Sequence, residues 1–210
     1  MIDFPISLHP DWMGNMCASR PEAALGDLVI PGSHDAASYS IDTFKLFSAV
    51  GRTQNVSVQE QLHRGARFLD IRVAGSGRDA VSIWHGCLQG APLQRVMEDI
   101  QLFCQDFPSE FLIIELVAEY GRDFKPAQKK KALDLVKETL GDKLYTDDDC
   151  GKLLKTPIKQ LTASGKQVCV LVHNRMYEGF TYNGAEYSES KITKEYGFFN
   201  SGKWMKSKWQ

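Results

Sequence analysis

Leu28-Val29-Ile30-Pro31-Gly32-Ser33-His34-Asp35 decides the architecture: a short apolar run, a Pro-Gly stop, then two side chains with chemistry. Three apolar residues halted by Pro31-Gly32 read as a buried strand ending in a turn. The pattern recurs along the chain. Residues 67–73 (Arg-Phe-Leu-Asp-Ile-Arg-Val) are a second strand and 81–84 (Val-Ser-Ile-Trp) a third, with His85-Gly86 at its end. Residues 110–117 make a fourth strand and 167–173 a fifth. The turn at 75–79 lets strands two and three pair as neighbours. Helical spacing covers 58–64, closed by Gly65, then 92–106, with Leu93, Val96, Met97, Ile100 and Phe103 on one face, and 126–140. Lys129-Lys130-Lys131 reads as a solvated face of that last helix. Residues 1–26 read as an irregular extension anchored by Trp12 and Met13, 36–57 as loop and short helix, and 156–161 as a connector. Beyond Asn174 no further strand is clear.

Near-continuous apolar strands imply burial on both faces, as in a parallel sheet. Strands alternating with helices define an α/β barrel or a doubly wound sheet. Motifs at the ends of strands one, three and five favour the barrel, whose active sites sit after the strands. A complete barrel takes about 200 residues or more, with about 250 typical. Five strands are countable in these 210 residues, so the expectation is one domain over 1–210, its barrel incomplete at the C-terminal end. A net charge of -1 gives no global basic field for nucleic acid. No run of about 18 apolar residues predicts a membrane span, and Met1-Ile2-Asp3-Phe4-Pro5 does not open like a secretory signal. The cysteines, at 17, 87, 104, 150 and 169, are odd in number and form no Cys-x-x-Cys pair. Neither a disulfide framework nor a zinc site is expected, and a cytoplasmic, reducing compartment fits.

His34 follows Gly32-Ser33 at a strand end and can face a cleft. An imidazole titrates near ~6.5 and can take a proton from a hydroxyl near neutral pH. Adjacent side chains diverge on an extended chain, so Asp35 is read as orienting a different histidine. Taken alone, His34-Asp35 reads equally well as a helix or turn cap. His85 sits beside Gly86, which leaves room for a ligand. Two histidines on opposite sides of one phosphorus supply a general base and a general acid. Asp70 and Arg72 are two apart and share a strand face. They form either a structural salt bridge or a phosphate site, with the Arg72 fork on the anion and Asp70 holding it. His173, ending strand five, is a candidate substrate contact at the same mouth. Glu115, a carboxylate inside strand four that needs a partner, is another; Glu119 is more loop-like and weaker. His9 and His63 read as surface residues. Ser33 lies in no Gly-x-Ser-x-Gly elbow, and no Walker loop, dinucleotide fingerprint or EF-hand loop occurs.

On these residues the chain resembles the catalytic X region of phosphatidylinositol-specific phospholipase C. The likeness is carried by 28–35, by Gln61-Leu62 with 65–72, by Trp84-His85-Gly86, and by Pro108-Ser109-Glu110 with the strand after it. Trp12-Met13 is similar to the short eukaryotic X-domain-containing type. The resemblance implies a distorted TIM (β/α) barrel. It implies that His34 would deprotonate the inositol 2-hydroxyl and that His85 would protonate the departing diacylglycerol oxygen, leaving a cyclic inositol phosphate. Asp35 would support His85, and Asp70 would order Arg72 and the attacking hydroxyl. Calcium-dependent members surround this site with oxygen ligands. Here Arg72 stands in the place of one of their carboxylates and Asp35 in the place of an amide, so no metal and no cofactor are expected. Two departures stand out. The inositol-contacting polar position near the end of strand four falls on Val117, leaving Glu115 as a substitute. The late-strand aspartate that supports the first histidine in bacterial relatives has no counterpart. The segment with Phe198, Phe199, Trp204 and Trp209 among Lys203, Lys206 and Lys208 is read as the start of a sixth strand and its loop, with entry into a membrane interface as the alternative.

The leading expectation is therefore metal-independent cleavage of phosphatidylinositol or a related inositol lipid, by a cytoplasmic protein in transient contact with a membrane surface. The alternatives are an inactive or truncated lipid-binding form and a glycerophosphodiester-type phosphodiesterase, which needs metal-binding carboxylates that Arg72 argues against.

Overall fold

The computed structural model describes residues 8–41, 51–146, 153–177, 181–182, 185–186 and 198–200. In chain order the strands are β1 (Gly32–Ser33), β2 (Phe68–Ser76), β3 (Ala80–His85), β4 (Leu88–Pro92), β5 (Leu112–Ala118), β6 (Val168–Val172), β7 (Thr181–Tyr182), β8 (Ala185–Glu186) and β9 (Phe199–Asn200). The α-helices are α1 (Trp12–Ser19), α2 (Val58–His63), α3 (Leu93–Asp106), α4 (Pro126–Leu140) and α5 (Ile158–Ala163). The main sheet runs β4-β3-β2-β5-β6-β9, with β1 also on β2; β7 and β8 form a separate pair. Among the described residues the sheet is open: an α/β sheet of the TIM-barrel type that does not close.

Period-two alternation along β2 sorts its side chains onto two faces. Leu69, Ile71 and Val73 join Ile114, Leu116, Val170 and Val172 in the core covered by α2, α3 and α4. Phe68 lies on the opposite face with Ile113, Cys169 and Leu171, above a plug of Met13, Leu25, Phe111, Tyr145 and Ile158. Asp70 and Arg72 continue that inner row toward the mouth. α3 buries Leu93, Val96, Met97, Ile100 and Phe103, the stripe its sequence spacing predicts. α2 starts where Ser57 Oγ accepts the Glu60 N–H at 3.1 Å, and it stops before Gly65 at φ 102°. α4 opens on Pro126, whose missing N–H costs nothing in a first turn.

The sheet is mixed, which corrects the expectation of parallel strands. β2 is parallel to β1 and β5, and β5 to β6, but β3 is antiparallel to both β2 and β4. The turn at 77–79 is too short for a parallel crossover, which needs a dozen residues or more. β4 is not among the five strands expected from the sequence; the two-residue Gly86-Cys87 turn, with Gly86 at φ 57°, folds it back on β3.

β1 also moves. Residues 28–30 are not a strand, and Val29 is 97% exposed. Pro31 carbonyl accepts the N–H groups of Arg67 and Phe68 at 2.9 and 3.1 Å, and pairing begins only at Gly32.

The N-terminal segment is not irregular throughout. α1 forms there because Glu110 accepts the N–H groups of Met13 at 3.2 Å and Gly14 at 2.8 Å, a cap supplied from far along the chain. The same carboxylate pairs with fully buried Arg67, its Oε2 lying 2.9 Å from Nε and 2.7 Å from Nη2. Burial pulls the Arg67 guanidinium below its usual range, and Glu110 opposes that. The expected connector at 156–161 contains the start of α5. Lys129 is not solvated: it is 6% exposed and donates to Arg175 carbonyl at 3.1 Å. His63 is half-buried, edge-on to Phe103 and Phe107 at 5.6 and 5.4 Å. β9 pairs in parallel with β6, as the start of a further strand does. Cys150, Trp204, Trp209 and the three lysines between 203 and 208 lie outside the described residues.

Candidate active site

One edge of β2 is shared by two strands that meet head to head. β1 pairs with its lower end, Phe68 and Leu69; β3 pairs with its upper end, Val73 to Ser76. β1 runs up and stops at Ser33. β3 runs down and stops at His85. His34-Asp35 and His85 therefore arrive from opposite directions at the level of Asp70 and Arg72.

The chain turns sharply where it leaves β1. Asp35 has φ 46°, a left-handed conformation that aspartate tolerates better than most residues. Ala36 N–H then donates to Asp70 carbonyl at 2.8 Å. This turn overrides the expectation that neighbours diverge, because 34–35 is not extended. His34 and Asp35 converge instead, with His34 Nε2 3.3 Å from Asp35 Oδ2.

Asp35 is the hub. It is 3% exposed; its Oδ1 lies 2.6 Å from Arg72 Nε, and its Oδ2 lies 3.4 Å from His85 Nε2. His85 Nδ1 is 2.9 Å from Gly51 carbonyl, which can only accept, so that nitrogen carries a proton. His34 Nδ1 is 2.8 Å from Asp70 Oδ2, which also accepts from Arg72 Nε at 3.3 Å. The His34 side chain is 66% exposed, against 27% for that of His85. One imidazole thus stands in the open mouth and the other is half-sunk beside it.

Glu119 completes the cluster. Its Oε1 accepts the Gly86 N–H at 2.9 Å, and its Oε2 lies 3.7 Å from Arg72 Nη1. The sequence expectation for Glu119 is a weaker, loop-like carboxylate, and the structure places it in the cluster. Its parity was the available signal, since Ile113, Glu115 and Val117 share the inner face with Phe68, Asp70 and Arg72, and Glu119 is next in that row.

Three carboxylates surround one guanidinium. Burial alone would lower the Arg72 pKa, but Asp70, Asp35 and Glu119 outweigh it and hold the group above its ordinary range. The Asp35 oxygens and Glu119 Oε2 are buried and face the Arg72 guanidinium and the two imidazoles, and Asp70 Oδ1 is buried without a hydrogen bond.

Glu115 faces inward beside Asp70, its register partner on β2, and His173 Nδ1 accepts the Arg175 N–H at 3.2 Å. Neither is joined by a hydrogen bond or ion pair to the cluster among the described residues.

His34, Asp35 and Asp70 present ligand atoms within 4.8 Å of one another. They are a poor fit to calcium, which takes about 6–8 oxygens. One of the three ligands is a nitrogen, and the Arg72 Nε already sits between the two carboxylates.

The open α/β sheet is shared with solved structures of phosphatidylinositol-specific phospholipase C. Phosphatidylinositol-specific phospholipase C from Listeria monocytogenes aligns with a TM-score of 0.64 and 27% identity, covering 87% of this chain and 63% of that one. By sequence, the 1-phosphatidylinositol phosphodiesterase of Listeria monocytogenes is 36% identical over 110 residues, which are 51% of this chain and 32% of that protein. PI-PLC X domain-containing protein 2 of Mus musculus is 26% identical over 198 residues, 83% of this chain and 56% of that protein. The profile of the phosphatidylinositol-specific phospholipase C X domain matches residues 28–171. The chain belongs to that family. It spans between a third and somewhat over half of the length of these two curated relatives.

Proposed function

We propose that this chain is a metal-independent phospholipase C that cleaves phosphatidylinositol, or a closely related inositol lipid, by two-histidine acid–base catalysis. The observation that carries the reading is the placement of His34 Nε2 and His85 Nε2 at 3.3 and 3.4 Å from one Asp35 oxygen, whose partner oxygen holds Arg72. In this reading Asp70 holds the Nδ1 proton of His34, and Nε2 accepts the proton of the inositol 2-hydroxyl as that oxygen attacks phosphorus. His85, protonated at both nitrogens, keeps its Nδ1 proton, donated to the Gly51 carbonyl, and gives its Nε2 proton to the departing diacylglycerol oxygen. Arg72 neutralises the phosphoryl oxygens, its fork oriented by the three carboxylates. Asp70 thereby takes the histidine-supporting role for which the sequence offered no candidate. Glu115 and His173 remain proposed head-group contacts further round the mouth.

No helix among the described residues is long and apolar enough to cross a membrane. The substrate is a lipid, so the reading includes transient contact with a membrane surface. Four described cysteines are free, in keeping with a cytoplasmic location. The test is incubation with phosphatidylinositol vesicles and excess chelator, following cyclic inositol phosphate by phosphorus NMR. Product that vanishes in His34→Ala and in His85→Ala supports the reading. Lipid binding without turnover, or turnover only with added divalent metal, overturns it.

A further inference from the structure

Both imidazoles at the mouth are backed in the same way. His34 Nδ1 lies 2.8 Å from Asp70 Oδ2, and His85 Nδ1 lies 2.9 Å from the Gly51 carbonyl, so each keeps its Nδ1 proton on an outer acceptor. A carboxylate or carbonyl behind Nδ1–H is how metal-bound histidines are commonly held, because it sets the tautomer and aims the Nε2 lone pair. Here both Nε2 atoms face one oxygen, Asp35 Oδ2, at 3.3 Å from His34 and 3.4 Å from His85. Ligand atoms around a tetrahedral zinc ion, each about 2.0–2.2 Å from the metal, stand about 3.3–3.5 Å apart. Two edges of a His-His-Asp coordination face are therefore already at length. The third edge, between the imidazoles, is set by the His34 side chain, which is 66% exposed and can turn into place.

The rest of the cluster suits a small cation of this kind. Arg72 Nε holds Asp35 by Oδ1, at 2.6 Å, and leaves Oδ2 to the imidazoles. Asp35, Asp70 and Glu119 together outnumber the one guanidinium they face, so the surroundings carry net negative charge. Two imidazole nitrogens and one carboxylate oxygen match zinc and cobalt. They do not match calcium or magnesium, which require oxygen and a larger coordination number.

We propose that His34, His85 and Asp35 form an inhibitory site for a tetrahedral transition-metal ion, zinc above all, with its fourth position toward the open mouth. The inhibitory consequence rests on the phospholipase C reading and adds regulation to that same site. The ion takes the Nε2 lone pair of His34 and displaces the Nε2 proton of His85 to solvent. Neither imidazole then moves a proton, and turnover stops. The first probe is cobalt chloride titrated into the full chain, followed by visible absorption. One ion per chain is expected to give the intense bands of four-coordinate cobalt, and zinc to bleach them, whereas excess calcium or magnesium leaves them unchanged. The bands are expected to vanish in His34→Ala and in His85→Ala. Asp70→Asn, which alters the support behind His34, is expected to weaken zinc binding by about 10–100-fold. Cys87, exposed two residues past His85, is the competing soft ligand, and Cys87→Ser is expected to leave the bands intact. Zinc in slight molar excess is expected to lower cyclic phosphate release by about 10²-fold or more, the contribution of acid–base catalysis, and excess chelator to restore it. Bands that survive either histidine substitution, or that disappear in Cys87→Ser, overturn the proposal. So does zinc binding that leaves turnover unchanged or raises it. A parent that cleaves phosphatidylinositol in chelator and shows no cobalt bands sinks only this site; a parent that cleaves nothing but shows histidine-dependent bands sinks the catalytic reading and leaves the metal site standing.

Discussion

Arg72→Lys keeps the positive charge and removes the fork. Nε serves Asp35 at 2.6 Å and Asp70 at 3.3 Å, while Nη1 faces Glu119 at 3.7 Å. A lysine is a single point charge on a flexible stem. Drawn to the nearest carboxylate, it withdraws from the phosphoryl group. At an effective dielectric of ~20, a unit charge about 4 Å from the developing negative charge contributes about 4 kcal/mol, and about 3 kcal/mol at ~6 Å. The lost charge-assisted hydrogen bond adds roughly 2 kcal/mol. The sum, about 3 kcal/mol, corresponds to a fall in kcat/KM of about 10²-fold. The assay is release of cyclic phosphate from a soluble inositol phosphodiester in chelator, with a thermal melt to show an intact fold. Since the lysine preserves net charge, folding is expected to change little. A lysine variant within about threefold of the parent would mean that Arg72 serves only to neutralise the carboxylates, and the proposed phosphate contact would be refuted.

Glu119→Ala is expected to lower kcat/KM by about tenfold or more by freeing the Gly86 N–H beside His85, and Glu119→Gln to recover most of it, because an amide oxygen still accepts that bond; equal losses in both variants would refute the tether. Glu110→Ala strands the buried Arg67 guanidinium and uncaps α1, and urea unfolding should show a loss of about 3–5 kcal/mol, partly recovered in Arg67→Met/Glu110→Ala. Cys104 is 1% exposed and burial pushes its thiol up to about 12 from 9.0, whereas Cys87 is exposed. A thiol reagent should label Cys87 and spare Cys104 until the chain unfolds. The raised value means that the folded state keeps a proton that the unfolded chain sheds above pH 9.0, so stability falls as pH rises from there, by about 1 kcal/mol at one unit higher, and Cys104→Ala should flatten that slope.

Much of this was legible in the chain itself. Leu93, Val96, Met97, Ile100 and Phe103 mark α3 by spacing alone, and amphipathic spacing over 126–140 marks α4, because a helix repeats every 3.6 residues whatever it packs against. The same local rule puts Asp70 and Arg72 on one face of β2. Residue types alone nominated His34, Asp35, His85 and Arg72, since few side chains can move a proton or hold a phosphate near neutral pH. Tertiary structure decided what local rules do not reach. α1 is capped by Glu110, and His85 is held by Gly51 carbonyl; each partner comes from a distant segment with no sequence signal. Glu119 entered the site only once β5 lay beside β2. Asp35 became the hub because its backbone turns at φ 46° where β1 gives way to β3, and the meeting of those two strands on one edge of β2 is a property of sheet order rather than of any stretch of residues. Side-chain chemistry is intrinsic and can be read from one letter at a time; the distances that group these side chains come from non-local pairing, where the chain closes long loops to bring two imidazoles to the same carboxylate.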